Sequence, residues 1–131
     1  MKSLPLAILT LTLCACGQSF DERLKREAQT FTRTHCPQRL DAMTTLDSAV
    51  YDIPSRTYIR YYSVSTSAIP ALQQNSLAVR AGLLNELKGD ASWKSCKDEG
   101  VSFRYIYRVA GSSTPVYTTT LTATDYQSPE S

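Results

Sequence analysis

A chain of 131 residues with 14 Lys and Arg against 12 Asp and Glu has a formal charge of +2, and it contains no block of like charge. That balance leaves no electrostatic footprint for nucleic acid, and the length provides for one domain with a small core. Four cysteines and a single histidine make the compartment, rather than the chemistry, the first thing to settle.

The chain opens MKSLPLAILTLTLCAC. Lys2 is the only charge before Asp21, and Leu4 to Leu13 is apolar apart from Thr10 and Thr12. This run falls short of the ~20 apolar residues of a permanent membrane span and has the form of an export signal. Leu13-Cys14-Ala15-Cys16 resembles a bacterial lipobox, with an aliphatic residue three positions before the modified cysteine and a small one directly before it. The resemblance implies that residues 1–15 are a lipoprotein signal peptide, that Cys16 is the lipidation site, and that 16–19 form a lipidated tether. Cys14 in that role would place bulky Leu13 at the cleavage position. Two or more acyl chains, palmitate among them, give stable membrane attachment. Gly17 stands where an inner-membrane retention signal has Asp, which implies the outer membrane, facing the periplasm. The plainer alternative is a secreted protein with two incidental cysteines.

From Phe20 onward, Phe20, Leu24, Ala28 and Phe31 recur at helical spacing, and Pro37 limits the helix. TTLDSAVYDIPSRTYIRYYSVST, residues 44–66, is rich in Thr, Val, Ile and Tyr and is broken at Pro54-Ser55-Arg56, the pattern of a β-hairpin. Neither face of its second strand is cleanly apolar. Residues 70–88 predict a second helix, with Pro70 in its first turn, Gly89 as its stop and a wide face of Leu72, Leu77, Val79, Leu83, Leu84 and Leu87. GDASWKSCKDEG reads as a loop. VSFRYIYRV alternates, with Val101, Phe103, Tyr105, Tyr107 and Val109 on the inner side. After a turn at 111–115, VYTTTLTATDY predicts the last strand, and 127–131 a polar tail.

The expected fold class is therefore α+β in the order α-β-β-α-β-β. A single domain over 20–126 holds a four-stranded antiparallel sheet with two helices packed on one face. With Cys14 and Cys16 accounted for, Cys36 and Cys96 remain. Each lies between a helix and a hairpin, and in an oxidising compartment such a pair predicts a disulfide worth about 4 kcal/mol. The alternative use of Cys36 is as a nucleophile activated by the adjacent His35. Two cysteines and one histidine do not suggest a metal site, and no phosphate loop or nucleophile elbow is present. Asp21-Glu22 and Asp98-Glu99 are adjacent solvated pairs, whereas Asp47 and Asp52 lie near the first hairpin's arginines.

The surface best suited to binding is the sheet face away from the helices. It is expected to hold Arg104, Ile106, Arg108 and a ladder of Thr118, Thr120, Thr122 and Thr124, joined by Tyr58, Arg60 and Tyr62 if the first hairpin follows suit. Tyr, Arg and Thr also suit a plain solvated face. CPQRLDAMTTLDSAVYD and CKDEGVSFRYIYRV are similar to segments of small bacterial lipoproteins and periplasmic proteins, a resemblance that implies no activity, ligand or site. The sequence thus points to a membrane-anchored, non-enzymatic interaction module of the cell envelope. No cofactor is expected, and its partner would be a protein or envelope component. An inhibitor or immunity protein against a secreted toxin or lysozyme is the specific variant, and a thiol-dependent or hydrolytic enzyme the competing class.

Overall fold

The structure is a computed structural model and describes residues 20–129. The expected signal peptide, tether and lipidation site at Cys16, and the last two residues of the tail, lie outside the described residues.

Helix α1 spans 20–35, with Leu24 and Ala28 buried and the charged positions between them exposed. Strand β1, Gln38–Arg39, follows, then β2, Thr44–Asp52, and β3, Thr57–Val64. The β2–β3 turn closes where the Asp52 carboxylate accepts from Ser55 N–H at 3.1 Å and Arg56 adopts φ 49°. Arg56 then ties three segments together, reaching Asp21 at 3.3 Å and Glu99 at 3.2 Å.

The second predicted helix is divided. A 3-10 turn, Thr66–Ala68, leads into α2, Ile69–Gln74, and α3, Ser76–Gly89, with the break at Asn75. Its broad apolar face is only partly used: Leu87 is buried, while Leu77 is 85% exposed. The predicted loop after Gly89 contains a 3-10 turn, Ala91–Trp93, and helix α4, Lys94–Asp98. Helix α4 ends in a glycine cap. Gly100, at φ 75°, donates to Lys97 O, and Val101 N–H donates to Cys96 O. Strand β4, Ser102–Val109, and β5, Pro115–Leu121, follow. The last predicted strand stops early because Thr122 and Asp125 form a capping box that starts α5, Ala123–Gln127.

The class is α+β, but the sheet is five-stranded and mixed rather than four-stranded and antiparallel. Its order is β1-β2-β3-β4-β5. Strands β3 and β4 pair in parallel, Thr57 with Ser102 through Val64 with Val109. The reason is the connection: residues 65–101 return along the sheet as helices before β4 begins, so β4 starts beside the start of β3. One core forms between one sheet face and the helices. It includes Leu24, Ala28, Leu46, Tyr51, Val101, Phe103, Leu121 and Tyr126.

Beyond the two-residue β1, the free side of β2 is met by a side chain, and so is the edge strand β5. The Thr32 hydroxyl accepts from Ala49 N–H at 2.9 Å, and its one proton is shared between Ala49 O and Ala28 O, each at 2.9 Å. At the other edge Gln73 donates to Val116 O and Arg80 to Thr120 O. An edge so occupied offers little to an added strand.

Candidate functional site

The parallel register decides which way the first hairpin faces. In-register neighbours share a face, so Tyr58, Arg60 and Tyr62 lie on the same side as Phe103, Tyr105 and Tyr107. That is the helix-covered side. The expected joint surface therefore splits. Tyr58, Arg60 and Tyr62 lie beneath the helices, whereas Arg104 and Arg108 lie on the open face.

The open face is organised by internal pairs. Arg108 reaches Asp47 at 3.4 Å and covers the Tyr61 ring at 4.6 Å. Asp47 also accepts from the Ser63 hydroxyl. Arg104 donates to Thr120 Oγ1 at 3.0 Å. Of the predicted threonine ladder, Thr118 and Thr120 belong to β5, while Thr122 caps α5 and Thr124 lies within it. The arginines of this face are thus committed to neighbours on the same sheet.

The covered face contains the recess. Tyr58, Arg60, Tyr62 and Tyr105 form its floor, α3 contributes Leu83, Glu86 and Leu87, and Trp93 closes it, around a volume of about 100 Å³. The Arg60 guanidinium lies 5.3 Å from the centroid of the Trp93 ring and 6.0 Å from that of Phe31 on α1. Trp93 in turn meets Tyr58 edge-on at 4.9 Å and Phe103 at 5.4 Å. Tyr62 stacks on Tyr107 with centroids 4.6 Å apart. Burial pushes the Tyr58 and Tyr105 phenols up to about 12, so both stay neutral at physiological pH. The result is a cation set among neutral aromatic groups at the bottom of a small opening. Sequence reasoning picked out Tyr58, Arg60 and Tyr62 but missed Trp93 and α3. Trp93 lies in a segment with no periodicity, and α3 declared itself only as an apolar face.

The two remaining cysteines do not form the expected disulfide: both are free thiols, Cys36 half-buried and Cys96 buried. Cys96 faces the first half of α1, lining a recess with Leu24 and Glu27. Cys36 lies just past the other end of that helix. The positions look equivalent in the sequence because each follows a helix, but α4 places Cys96 elsewhere. Nor is Cys36 primed as a nucleophile. Desolvation raises its pKa, with Arg60 opposing only in part. The exposed His35 ring packs 5.3 Å from Phe31. Among the described residues there is no cluster of three His, Cys, Asp or Glu able to hold a metal ion, and no helix long and apolar enough to cross a membrane.

The profile of a family described as a domain of unknown function, DUF8479, matches residues 19–117. Two solved structures share the fold. A Pseudomonas aeruginosa protein described as secreted covers 81% of this chain and 95% of its own at 16% identity, with a TM-score of 0.67. EpsS, the pilotin of the Vibrio vulnificus type 2 secretion system, covers 86% of this chain and 96% of its own at 13% identity, with a TM-score of 0.65. At these identities the likeness is one of fold. No curated protein matches the sequence.

Proposed function

This chain belongs to the DUF8479 family, and from that premise we propose that it is a lipid-anchored envelope protein that acts without catalysis, holding a segment of a partner protein in the recess beneath α3. One observation carries the reading: an aromatic floor around a charged Arg60 opens to a space of about 100 Å³. Aromatic residues and Arg are the groups that dominate protein recognition. The space is well below the ~300 Å³ at which small-molecule pockets begin, and it suits one or two inserted side chains. Side chains of α1, α2 and α3 meet backbone groups of β2 and β5, and on the open face Arg108 is paired with Asp47 and Arg104 donates to Thr120, which favours the recess as the recognition surface. The anchor rests on the lipobox at Cys16. The fold shared with a secretion-system pilotin and a protein described as secreted is in keeping with an envelope location.

Two measurements test this. Labelled palmitate should enter the wild-type chain and not the Cys16→Ser variant. A photo-crosslinking residue placed at Leu83 should give a specific adduct in intact cells, while the same residue at Thr118 on the open face should not. An adduct from Thr118 alone would move the binding surface to the other side of the sheet.

A further inference from the structure

We infer that Arg60 is an anion-binding residue and that the partner segment inserts an Asp or Glu side chain over it; this rests on the recess being the docking site. The half-buried arginines differ in how they are partnered. Arg56 holds Asp21 and Glu99, Arg80 holds Asp125, Arg108 holds Asp47, and Arg104 donates to Thr120. Arg60, like Arg104, forms no ion pair among the described residues, and of the two it is the one set on the recess floor among aromatic rings. Its neighbours are the Trp93 and Phe31 rings and the Tyr62 hydroxyl. A guanidinium is always charged and has five N–H donors in a planar fork, which one hydroxyl leaves largely unspent.

Arg60 lines the recess. Among the described residues, the only buried side-chain nitrogen or oxygen without a partner is Arg108 Nε, so the unpaired N–H groups of Arg60 are not sealed away. A carboxylate is the group whose geometry matches the fork in two parallel hydrogen bonds. The floor provides no anion of its own, because its phenols are neutral. On the rim, Asp90 is engaged by the Ser92 N–H at 2.9 Å and hydroxyl at 2.6 Å. Asp90 still acts on Arg60 through its charge, and Glu86 also lies on the lining, so these two carboxylates are the competitors. The small volume selects a side chain over a larger anionic metabolite, and the apolar flank of Leu83 and Leu87 selects a segment with apolar residues beside the acid.

The probes are two blocked hexapeptides, acetyl-Ala-Leu-Leu-Glu-Leu-Ala-amide and the same peptide with Gln for Glu, titrated into the full-length protein in detergent. Trp93, the one tryptophan of the chain, reports binding through its emission. The Glu peptide is expected to bind about tenfold tighter than the Gln peptide, the scale of one charge-assisted contact. That preference should shrink with added salt, vanish in Arg60→Gln, persist in part in Arg60→Lys and grow in Glu86→Gln. Equal binding of the two peptides by the wild type overturns the inference and leaves the recess as a neutral docking site. No binding of either peptide at millimolar concentration overturns both readings. The peptide pair decides the matter in the wild type alone, so a poorly folded Arg60→Gln does not blunt the test.

Discussion

Thr32 on α1 and Ala49 on β2 are joined through a single hydroxyl, which takes the N–H of Ala49 and shares its proton with the Ala49 carbonyl. Ala49 is buried, so these two backbone groups have no recourse to solvent. Thr32→Val keeps the shape and removes the partner, and an unmet buried backbone group costs ~1–3 kcal/mol. The expected result is a destabilisation of that size in urea unfolding, with Thr32→Ser losing much less. Equal losses in both variants would assign the effect to the methyl group instead.

Gly100 ends α4 in the left-handed region, and the residue after it, Val101, is among the most deeply buried in the chain. A Cβ at Gly100 would meet nothing within 4 Å, so the cost of Gly100→Ala is that of the backbone alone. That cost is ~1 kcal/mol. Thermal unfolding should show a drop of a few degrees, and Gly89→Ala, inside α3, should stabilise slightly or do nothing.

How far the sequence discloses this fold depends on how many neighbours each element answers to. Strand β4 alternates cleanly because one of its faces meets only the core: Phe103, Tyr105 and Tyr107 are all buried. Strand β3 cannot be read that way. Tyr58 and Tyr62 face the helices, while Tyr61 faces outward beneath Arg108, so large rings occur on both sides. The direction of β3 is fixed by its parallel pairing with β4, a non-local contact that no local pattern encodes. Arg60 looks like a surface residue for the same reason: only the tertiary arrangement places Trp93 and Phe31 around it. Helices α4 and α5 are too short for periodicity, yet each left a local mark. Gly100 marks the end of one, and the Thr122 to Asp125 capping spacing marks the start of the other.

The free thiols give a prediction opposite to that drawn from cysteine counting. Burial first, and Glu27 second, push the Cys96 thiol up to about 11, which leaves it protonated and shielded near neutrality. With an aromatic disulfide reagent at pH 8, Cys96 should not react in the folded protein, and Cys36 should react slowly. Both should titrate fully in denaturant, and reductant should leave the unfolding midpoint unchanged. If neither thiol titrates in denaturant, the two are cross-linked and α1 and α4 must sit differently.

Asp125 provides an acid limb to stability. Its carboxylate accepts from Thr122 N–H at 2.8 Å and meets Arg80 at 3.1 Å. The Thr122 backbone hydrogen bond first, with smaller help from Arg80 and the Thr122 hydroxyl, holds its pKa below the usual Asp value against burial, the second-largest effect, which raises it. A carboxyl whose folded pKa is depressed binds its proton more readily in the unfolded chain. Its stabilising contribution is therefore fully present above about pH 4, the ordinary unfolded value, and is lost as pH falls through the lower folded value. Asp125→Asn removes the charge but keeps a capping side chain, so it should cost about 0.5–1 kcal/mol at pH 7. Below the folded pKa the wild type and the variant should converge. Unfolding curves at pH 7, 4 and 2 check the sign. A gap between the two proteins that widened on acidification would show that Asp125 is protonated in the native state and that the Arg80 contact contributes nothing as an ion pair.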